Sequence, residues 1–145
     1  MPIAKLLTGN TDQACELVMY WGITTELAHR LERLAMRLEF PLSVISGYRS
    51  PAQQDDLRRQ GRPTADNDKS THLGCPATGV DVWPGVAVTR YVKARLGAEA
   101  GFSGLRWGGD SPVDPETGIP SDWNHLDLGP RWRAPRAEET SRAPG

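Results

Sequence analysis

The spacing of apolar residues along the chain predicts four helices. Leu27, Leu31 and Leu34 recur at intervals of three and four residues, which places them on one face of a helix. Pro51, directly after a serine, is typical of a helix start, and Gly61 is typical of a helix end. Together such signals predict helices over residues 11–20, 25–39, 52–60 and 86–96, the last ending before Gly97 or Gly101.

Strands are predicted where apolar and polar residues alternate, or where β-branched residues cluster between turns. Four segments have this pattern: residues 42–48, 79–83, 105–107 and 124–128. Polar loops rich in Gly, Pro and Asp, residues 61–76 and 108–121, lie between them. We expect a single domain over residues 1–130. Residues 131–145 alternate charge with Pro and Ala, which predicts a disordered tail.

Two of the predicted strands carry acidic and histidine side chains on one face. Asp81 points away from Val80 and Val82, and a carboxylate in an otherwise apolar strand is unfavourable unless it is paired or bound to a metal. In the last strand His125 and Asp127 share a face, whereas the two leucines of that strand share the opposite one. The alternation predicts half-buried strands that carry polar groups toward a cleft.

Composition and charge exclude several classes of function. The 145-residue chain is 38% hydrophobic and 24% charged, as in an ordinary globular domain, and its net charge of −1 gives no general attraction to nucleic acid or anionic membranes. No apolar run is long enough to span a bilayer, and the N-terminus lacks a secretory signal, so we expect synthesis in the cytoplasm. Two cysteines exclude a disulfide framework and a Cys-rich structural zinc site.

Two of the three histidines lie near carboxylates at positions that suit a metal site. His72 precedes Asp81 by nine residues, and Asp122 precedes His125 by three. Two imidazoles and one carboxylate can hold a zinc ion and leave a fourth position for water, beside which Asp122 can act as a general base. A hydrogen-bonded His–Asp pair is the other interpretation of such neighbours. Spacing alone leaves both open.

Four short motifs, in order along residues 42–128, resemble a known family of enzymes. They are Ser46-Gly47-Tyr48-Arg49-Ser50, Ser70-x-His72 with Asp81, Trp107-Gly108-Gly109-Asp110 and Asp122-x-x-His125. Together they resemble the zinc D-alanyl-D-alanine carboxypeptidase and L-alanyl-D-glutamate endopeptidase family, which cleaves peptidoglycan stem peptides and includes phage endolysins. The resemblance implies an α+β fold, the DD-peptidase/hedgehog-like zinc peptidase fold, with a small antiparallel sheet flanked by helices.

The resemblance also implies roles for individual residues. His72, Asp81 and His125 fall on the ligands of one Zn²⁺ ion. Asp122 falls on the catalytic carboxylate, and Arg49 on an arginine that contacts substrate and stabilises developing negative charge. Four further residues are expected to bind substrate, although packing is the commoner role of a tryptophan: Ser70, Gln54, Trp107 and Trp123.

The sequence departs from the family pattern at three points. The step from His72 to Asp81 is nine residues, whereas seven is common. The last motif reads His-Leu-Asp, ending at Asp127, in place of His-Phe-Glu or His-Phe-Gln. Trp-Gly-Gly is followed by Asp110 and Ser111 where many relatives have a second tryptophan. We expect these changes to affect the choice of substrate more than the binding of metal.

The sequence therefore predicts a zinc peptidase that hydrolyses peptidoglycan stem peptides, an endolysin-type L-Ala-D-Glu endopeptidase. We expect it to act as a monomer and to reach the wall through a separate membrane lesion, without nucleic-acid partners or membrane insertion. A D,D- or L,D-carboxypeptidase of the same family is one alternative. A non-catalytic, zinc-stabilised wall-binding module is another, which Asp122 and Arg49 disfavour because a purely structural zinc site needs neither.

Overall fold

The computed structural model describes residues 5–7, 13–48, 56, 59–61 and 76–133. Three helices and five strands lie within these ranges. In chain order they are β1 (Lys5–Leu7), α1 (Gln13–Trp21), α2 (Thr25–Arg37), β2 (Leu42–Ser46), β3 (Gly79–Pro84), α3 (Arg90–Phe102), β4 (Arg106–Trp107) and β5 (His125–Asp127). Most of the helix predicted over residues 52–60 falls outside the described residues.

The strands form one antiparallel sheet in the order β1-β2-β3-β5-β4. The α+β fold with a small antiparallel sheet is thus confirmed, and the four predicted strands are present with slightly different bounds. Strand β1 was not predicted. Its three residues are too few to show an alternating pattern, and its pairing with β2 is what makes it a strand.

One face of the sheet packs against the helices to form the core. The strands contribute four fully buried side chains to this core: Val44, Val80, Val82 and Leu126. They belong to one cluster with the leucines of α2. Each such side chain contributes roughly 1.5–3 kcal/mol when it is removed from water. The strands β3 and β5 are therefore fixed by their apolar face, which leaves their other face available for chemistry.

Helix α2 begins and ends close to the predicted positions. The Thr24 side chain accepts a hydrogen bond from the backbone N–H of Leu27 at 3.1 Å, which caps the helix start. Arg37 is the last helical residue, and Leu38 is extended. On the helix surface, the Arg37 guanidinium donates to the buried Glu99 of α3 at 2.6 Å. This ion pair ties α2 to α3.

The helix that was predicted over residues 86–96 is present, but its predicted bounds were wrong. Helix α3 covers Arg90–Phe102 and not residues 86–96, because Thr89 caps its start by accepting from the N–H of Val92. Neither glycine that was expected to end it does so. Gly97 lies under the indole of Trp107, where a Cβ atom would clash with the ring. Gly97 therefore serves close packing between α3 and β4 and not helix termination.

The described chain continues a little past the predicted domain boundary at residue 130. Trp132 is half-buried and packs against the hydrophobic core. Residues 134–145, the rest of the predicted tail, lie outside the described residues. Among the helices that the structure describes, none has the length and apolar character needed to cross a membrane.

Candidate metal centre

Asp81 and His125 meet on the polar face of the sheet. They lie directly opposite each other in the antiparallel register of β3 and β5, so their side chains point the same way. Asp81 Oδ1 and His125 Nδ1 are 3.2 Å apart. Asp81 is half-buried and His125 is buried. The pairing of two short strands thus brings together residues that are 44 positions apart in sequence.

Asp122 joins this pair from the turn that precedes β5. The backbone N–H of His125 donates to the carbonyl of Asp122 at 3.0 Å, and the N–H of Asp122 donates to the hydroxyl of Ser111 at 3.2 Å. One possible ligand atom from each of Asp81, Asp122 and His125 lies within 4.8 Å of the other two. Two predicted ligands and the predicted catalytic carboxylate therefore converge, with Asp122 on the exposed side.

The donor set fits a zinc ion. Two ligands at about 2.0–2.1 Å from one tetrahedral zinc are roughly 3.3 Å apart, close to the separation of Asp81 Oδ1 and His125 Nδ1. Carboxylate oxygen and imidazole nitrogen are both common zinc ligands. A hydrogen bond has a similar length, so the same two atoms suit a hydrogen bond in the metal-free protein and ligation when a metal is bound.

His125 is held from behind by a buried carboxylate. Its Nε2 lies 2.7 Å from Asp127 Oδ2, and Asp127 is fully buried. Arg106 donates to both carboxylate oxygens of Asp127, from Nε at 2.8 Å and from Nη2 at 2.9 Å. The N–H of Gly129 donates to Asp127 Oδ1 at 2.7 Å. Every oxygen of this carboxylate is thus hydrogen-bonded, as a buried anion requires.

The sequence indicated part of this arrangement and missed the rest. The alternating pattern of the last strand correctly placed His125 and Asp127 on one face. It gave no role to Arg106, whose partner is Asp127 in the register of β4 and β5. The only sequence signal for Arg106 was its place in a predicted strand directly before Trp-Gly-Gly, and that signal does not reveal which strand it pairs with.

These contacts shift two ionisation equilibria. Burial by itself would lower the pKa of His125, but hydrogen bonds to Asp127 and Asp81 outweigh it and raise that pKa from 6.5 to about 9. Burial would raise the pKa of Asp127, but hydrogen bonds from His125 and Arg106 lower it from 3.8 to about 2. In the metal-free protein the pair is therefore an imidazolium beside a carboxylate at neutral pH.

The two glycines after Trp107 allow the chain to pass close to His125. Gly108 and Gly109 have φ values of +78° and +57°, in the left-handed region that glycine adopts without strain. The N–H of Gly108 donates to the carbonyl of His125 at 2.9 Å. A Cβ atom on Gly109 would lie 3.1 Å from the Cδ2 atom of His125. The glycines therefore place backbone over the imidazole.

The two tryptophans that were expected to bind substrate occupy different surroundings. Trp107 packs its ring on Gly97 of α3 and donates its indole N–H to the carbonyl of Trp123 at 2.6 Å. Its partner in the strand register is the fully buried Leu126, so it lies on the core face, opposite Asp81. A contact between Trp107 and substrate stays a prediction, and this placement does not favour it.

Trp123 lies at the edge of a groove beside Asp122. Its ring centroid is 5.1 Å from that of Trp83, and the ammonium of Lys93 is 5.1 Å from the Trp123 centroid. The groove has a volume of about 620 Å³ and runs between the start of α3 and the loop at residues 112–121, with Arg90 and Lys93 on one side. Ser121 and Trp123, the chain neighbours of Asp122, line this groove, whereas Asp81, Asp122 and His125 are not among its lining residues.

The remaining predicted site residues lie outside the described residues. These are the predicted ligand His72, the predicted catalytic Arg49, and the predicted substrate contacts Ser70 and Gln54. Their roles stay predictions. The described part of the site is therefore its β3–β5 half, together with the turn at Asp122.

Comparison with known proteins finds a likeness to a solved structure. The chain is similar to the crystal structure of the Serratia marcescens L-Ala D-Glu endopeptidase ChiX, with a TM-score of 0.58 and 22% sequence identity. The match covers 82% of this chain and 88% of that one. At this identity the likeness establishes a shared fold. No family model and no curated protein matches the chain.

Proposed function

We propose that the protein is a zinc-dependent peptidase that hydrolyses amide bonds in peptidoglycan stem peptides, acting as an L-Ala-D-Glu endopeptidase. The observation that carries the proposal is the convergence of Asp81, Asp122 and His125 within 4.8 Å on one face of the sheet. A solved endopeptidase of that specificity has the same fold. The ordered sequence motifs independently favour the same class of enzyme.

In this proposal Asp81, His125 and His72 hold one zinc ion. Three protein ligands leave a position for water, as in catalytic zinc sites. When bound, zinc would supply a Lewis acid and lower the pKa of a bound water from 15.7 toward about 7. The 3.2 Å separation of Asp81 Oδ1 and His125 Nδ1 supports two of these three assignments.

Asp122 is proposed as the general base and acid. Asp122 is exposed, but both of its backbone polar groups are hydrogen-bonded. Its N–H donates to the hydroxyl of Ser111, and its carbonyl accepts from the N–H of His125. It is therefore accessible to water yet held beside the two ligands. Asp122 would accept a proton from the attacking water and deliver it to the leaving amine.

Substrate would be bound by groups on both sides of Asp122. On one side, Trp123 offers a flat apolar surface, and Lys93 and Arg90 add positive charge that suits the carboxylate of a D-glutamate residue. On the other side, Ser46 at the end of β2 is paired with Asp81, and the proposed Arg49 follows three residues later in sequence. Arg49 would stabilise the oxyanion, with Ser70 and Gln54 as further substrate contacts.

Mass spectrometry of purified muropeptides, incubated with the protein with and without added zinc, tests the proposal. Zinc-dependent release of the stem peptide after L-Ala would support an L-Ala-D-Glu endopeptidase. Loss of a single terminal alanine would instead establish the carboxypeptidase alternative. Intact muropeptides despite bound zinc would overturn the enzymatic proposal and favour a wall-binding module.

A matched pair of variants ties any activity to the site. Asp122→Asn should abolish most cleavage, whereas Glu116→Gln, which neutralises another exposed carboxylate on the same loop, should leave it unchanged. Equal activity in both variants would exclude Asp122 as the general base.

A further inference from the structure

We infer that Arg106 and Asp127 act together as positioning residues for His125, and that they fix its imidazole so that Nδ1 faces the metal. The inference rests on the proposed zinc site and assigns two residues that the sequence motifs left without a role. It is carried by the unbroken chain of side-chain contacts Arg106–Asp127–His125–Asp81, with separations of 2.7 to 3.2 Å.

Asp127 determines which ring nitrogen of His125 is available. An ionised carboxylate accepts hydrogen bonds and cannot donate them. The contact of 2.7 Å between Asp127 Oδ2 and His125 Nε2 therefore requires a proton on Nε2. Nδ1, on the opposite side of the ring, is left to face Asp81. Carboxylates that accept from a metal-bound imidazole have this geometry, and they fix both ring orientation and tautomer.

Arg106 determines where the carboxylate of Asp127 lies. Its guanidinium donates to both oxygens, a two-pronged arrangement that fixes the carboxylate plane as well as its charge. A third donor of Arg106, Nη1, donates to the exposed Asp110 at 2.9 Å. A lysine at position 106 would keep a positive charge but would not hold both oxygens of Asp127 in this geometry.

The strand register gives this arrangement its rigidity. Arg106 is directly opposite Asp127 across β4 and β5, and His125 is directly opposite Asp81 across β5 and β3. All four residues are therefore carried by paired strands and not by loops, which favours accurate placement of a ligand. The backbone of Gly109 passes close to the ring of His125. A Cβ atom at position 109 would lie only 3.1 Å from the Cδ2 atom of that ring.

Zinc affinity of two variants, measured by competition with a chromogenic chelator, tests the inference without any substrate. Asp127→Asn and Arg106→Lys should each weaken zinc binding by about 10- to 100-fold. Glu99→Gln and Arg37→Lys are matched controls, because they alter another buried carboxylate–arginine pair that lies between α2 and α3. The controls should lose stability to chemical denaturation but keep the parent affinity for zinc.

A spectroscopic measurement separates positioning from general destabilisation. In the zinc-loaded parent protein, ¹⁵N NMR of the imidazoles should show His125 with a metal on Nδ1 and a proton on Nε2. Asp127→Asn should reduce the population of that form. A metal on Nε2 in the parent protein would overturn the inference, as would parent-like zinc affinity in both Asp127→Asn and Arg106→Lys. If Asp127→Asn does not fold, Arg106→Lys alone decides the matter.

The failure of this inference is distinct from the failure of the proposed function. A protein that binds zinc through Nδ1, with affinity that depends on Asp127, but leaves all muropeptides intact, supports the positioning roles and contradicts peptidase activity. A protein that cleaves muropeptides equally well in the parent and Asp127→Asn forms, with equal zinc affinity, supports the peptidase and overturns the positioning roles.

Discussion

Asp81 Oδ1 and His125 Nδ1 lie 3.2 Å apart at directly opposed positions of β3 and β5. A separation this short between a carboxylate and an imidazole serves a proton in the metal-free protein and a metal when one is bound. If the proposed zinc site is correct, a proton and a zinc ion would therefore compete for the position between these two atoms.

Asp81→Asn should weaken zinc binding more than Asp127→Asn or Arg106→Lys does. Asp81 is proposed as a direct ligand, so its loss should exceed the roughly 10- to 100-fold effect expected for outer contacts. Isothermal titration of the metal-free protein with zinc measures this. Asp114→Asn, an exposed carboxylate in the loop beside the groove, is the control and should bind zinc as the parent does. Equal affinities would remove Asp81 from the ligand set.

Asp122→Asn should separate catalysis from metal binding. General acid–base catalysis contributes about 10²- to 10⁴-fold, so kcat for muropeptide cleavage should fall by that range. Zinc affinity should change little, because the proposed ligands remain. Steady-state kinetics and zinc titration on the same sample check both expectations. A large loss of zinc affinity would instead indicate that Asp122 binds the metal, which its distance to Asp81 and His125 also permits.

The metal-free protein should lose stability as the pH rises above neutrality. His125 has a pKa of about 9 in the folded protein against 6.5 ordinarily, so its contribution is complete below 6.5 and is lost as the pH rises through about 9. Asp127 has a pKa of about 2 in the folded protein against 3.8 ordinarily. Its contribution to stability is therefore complete above pH 3.8 and is lost as the pH falls through about 2. Stability from this pair is therefore greatest between 3.8 and 6.5.

Urea unfolding in the presence of a chelator measures this dependence. The free energy of unfolding should fall by on the order of 2–3 kcal/mol between about pH 6 and pH 9. His125→Asn should remove most of that fall, because the titrating group is absent. An equally steep fall in His125→Asn would show that other groups cause it.

Two glycines of α3 should respond oppositely to the same substitution. Gly97→Ala should destabilise the protein by about 1–3 kcal/mol, because the added Cβ would clash with the ring of Trp107. Gly101→Ala should stabilise it by about 0.5–1 kcal/mol, because nothing lies within 4 Å of a Cβ there and alanine favours the helix. Thermal or urea unfolding of both variants checks the pair. Similar effects at both positions would contradict the packing role of Gly97.

What could be predicted from sequence depended on whether the determinant was local. The faces of β3 and β5 followed from alternation within each strand, and helix α2 followed from leucine spacing. The end of α3 could not be predicted, because Gly97 is explained only by a ring that arrives from β4. The roles of Arg106 and Asp127 depend on strand pairing, which no local pattern specifies.

The three residues of β5 point alternately to the two faces of the sheet, so the register of this strand determines both the core packing and the candidate site. His125 and Asp127 face the site, while Leu126 between them is fully buried against Val80. A slip of β5 by one residue would place leucine opposite Asp81 and turn a histidine and an aspartate into the core. A sheet with β5 slipped by one residue would therefore lose both its apolar packing and the pairing of Asp81 with His125. If the proposed zinc site is correct, zinc binding should thus stabilise the native register of β3 and β5 relative to the slipped one, because only the native register places both ligands opposite each other.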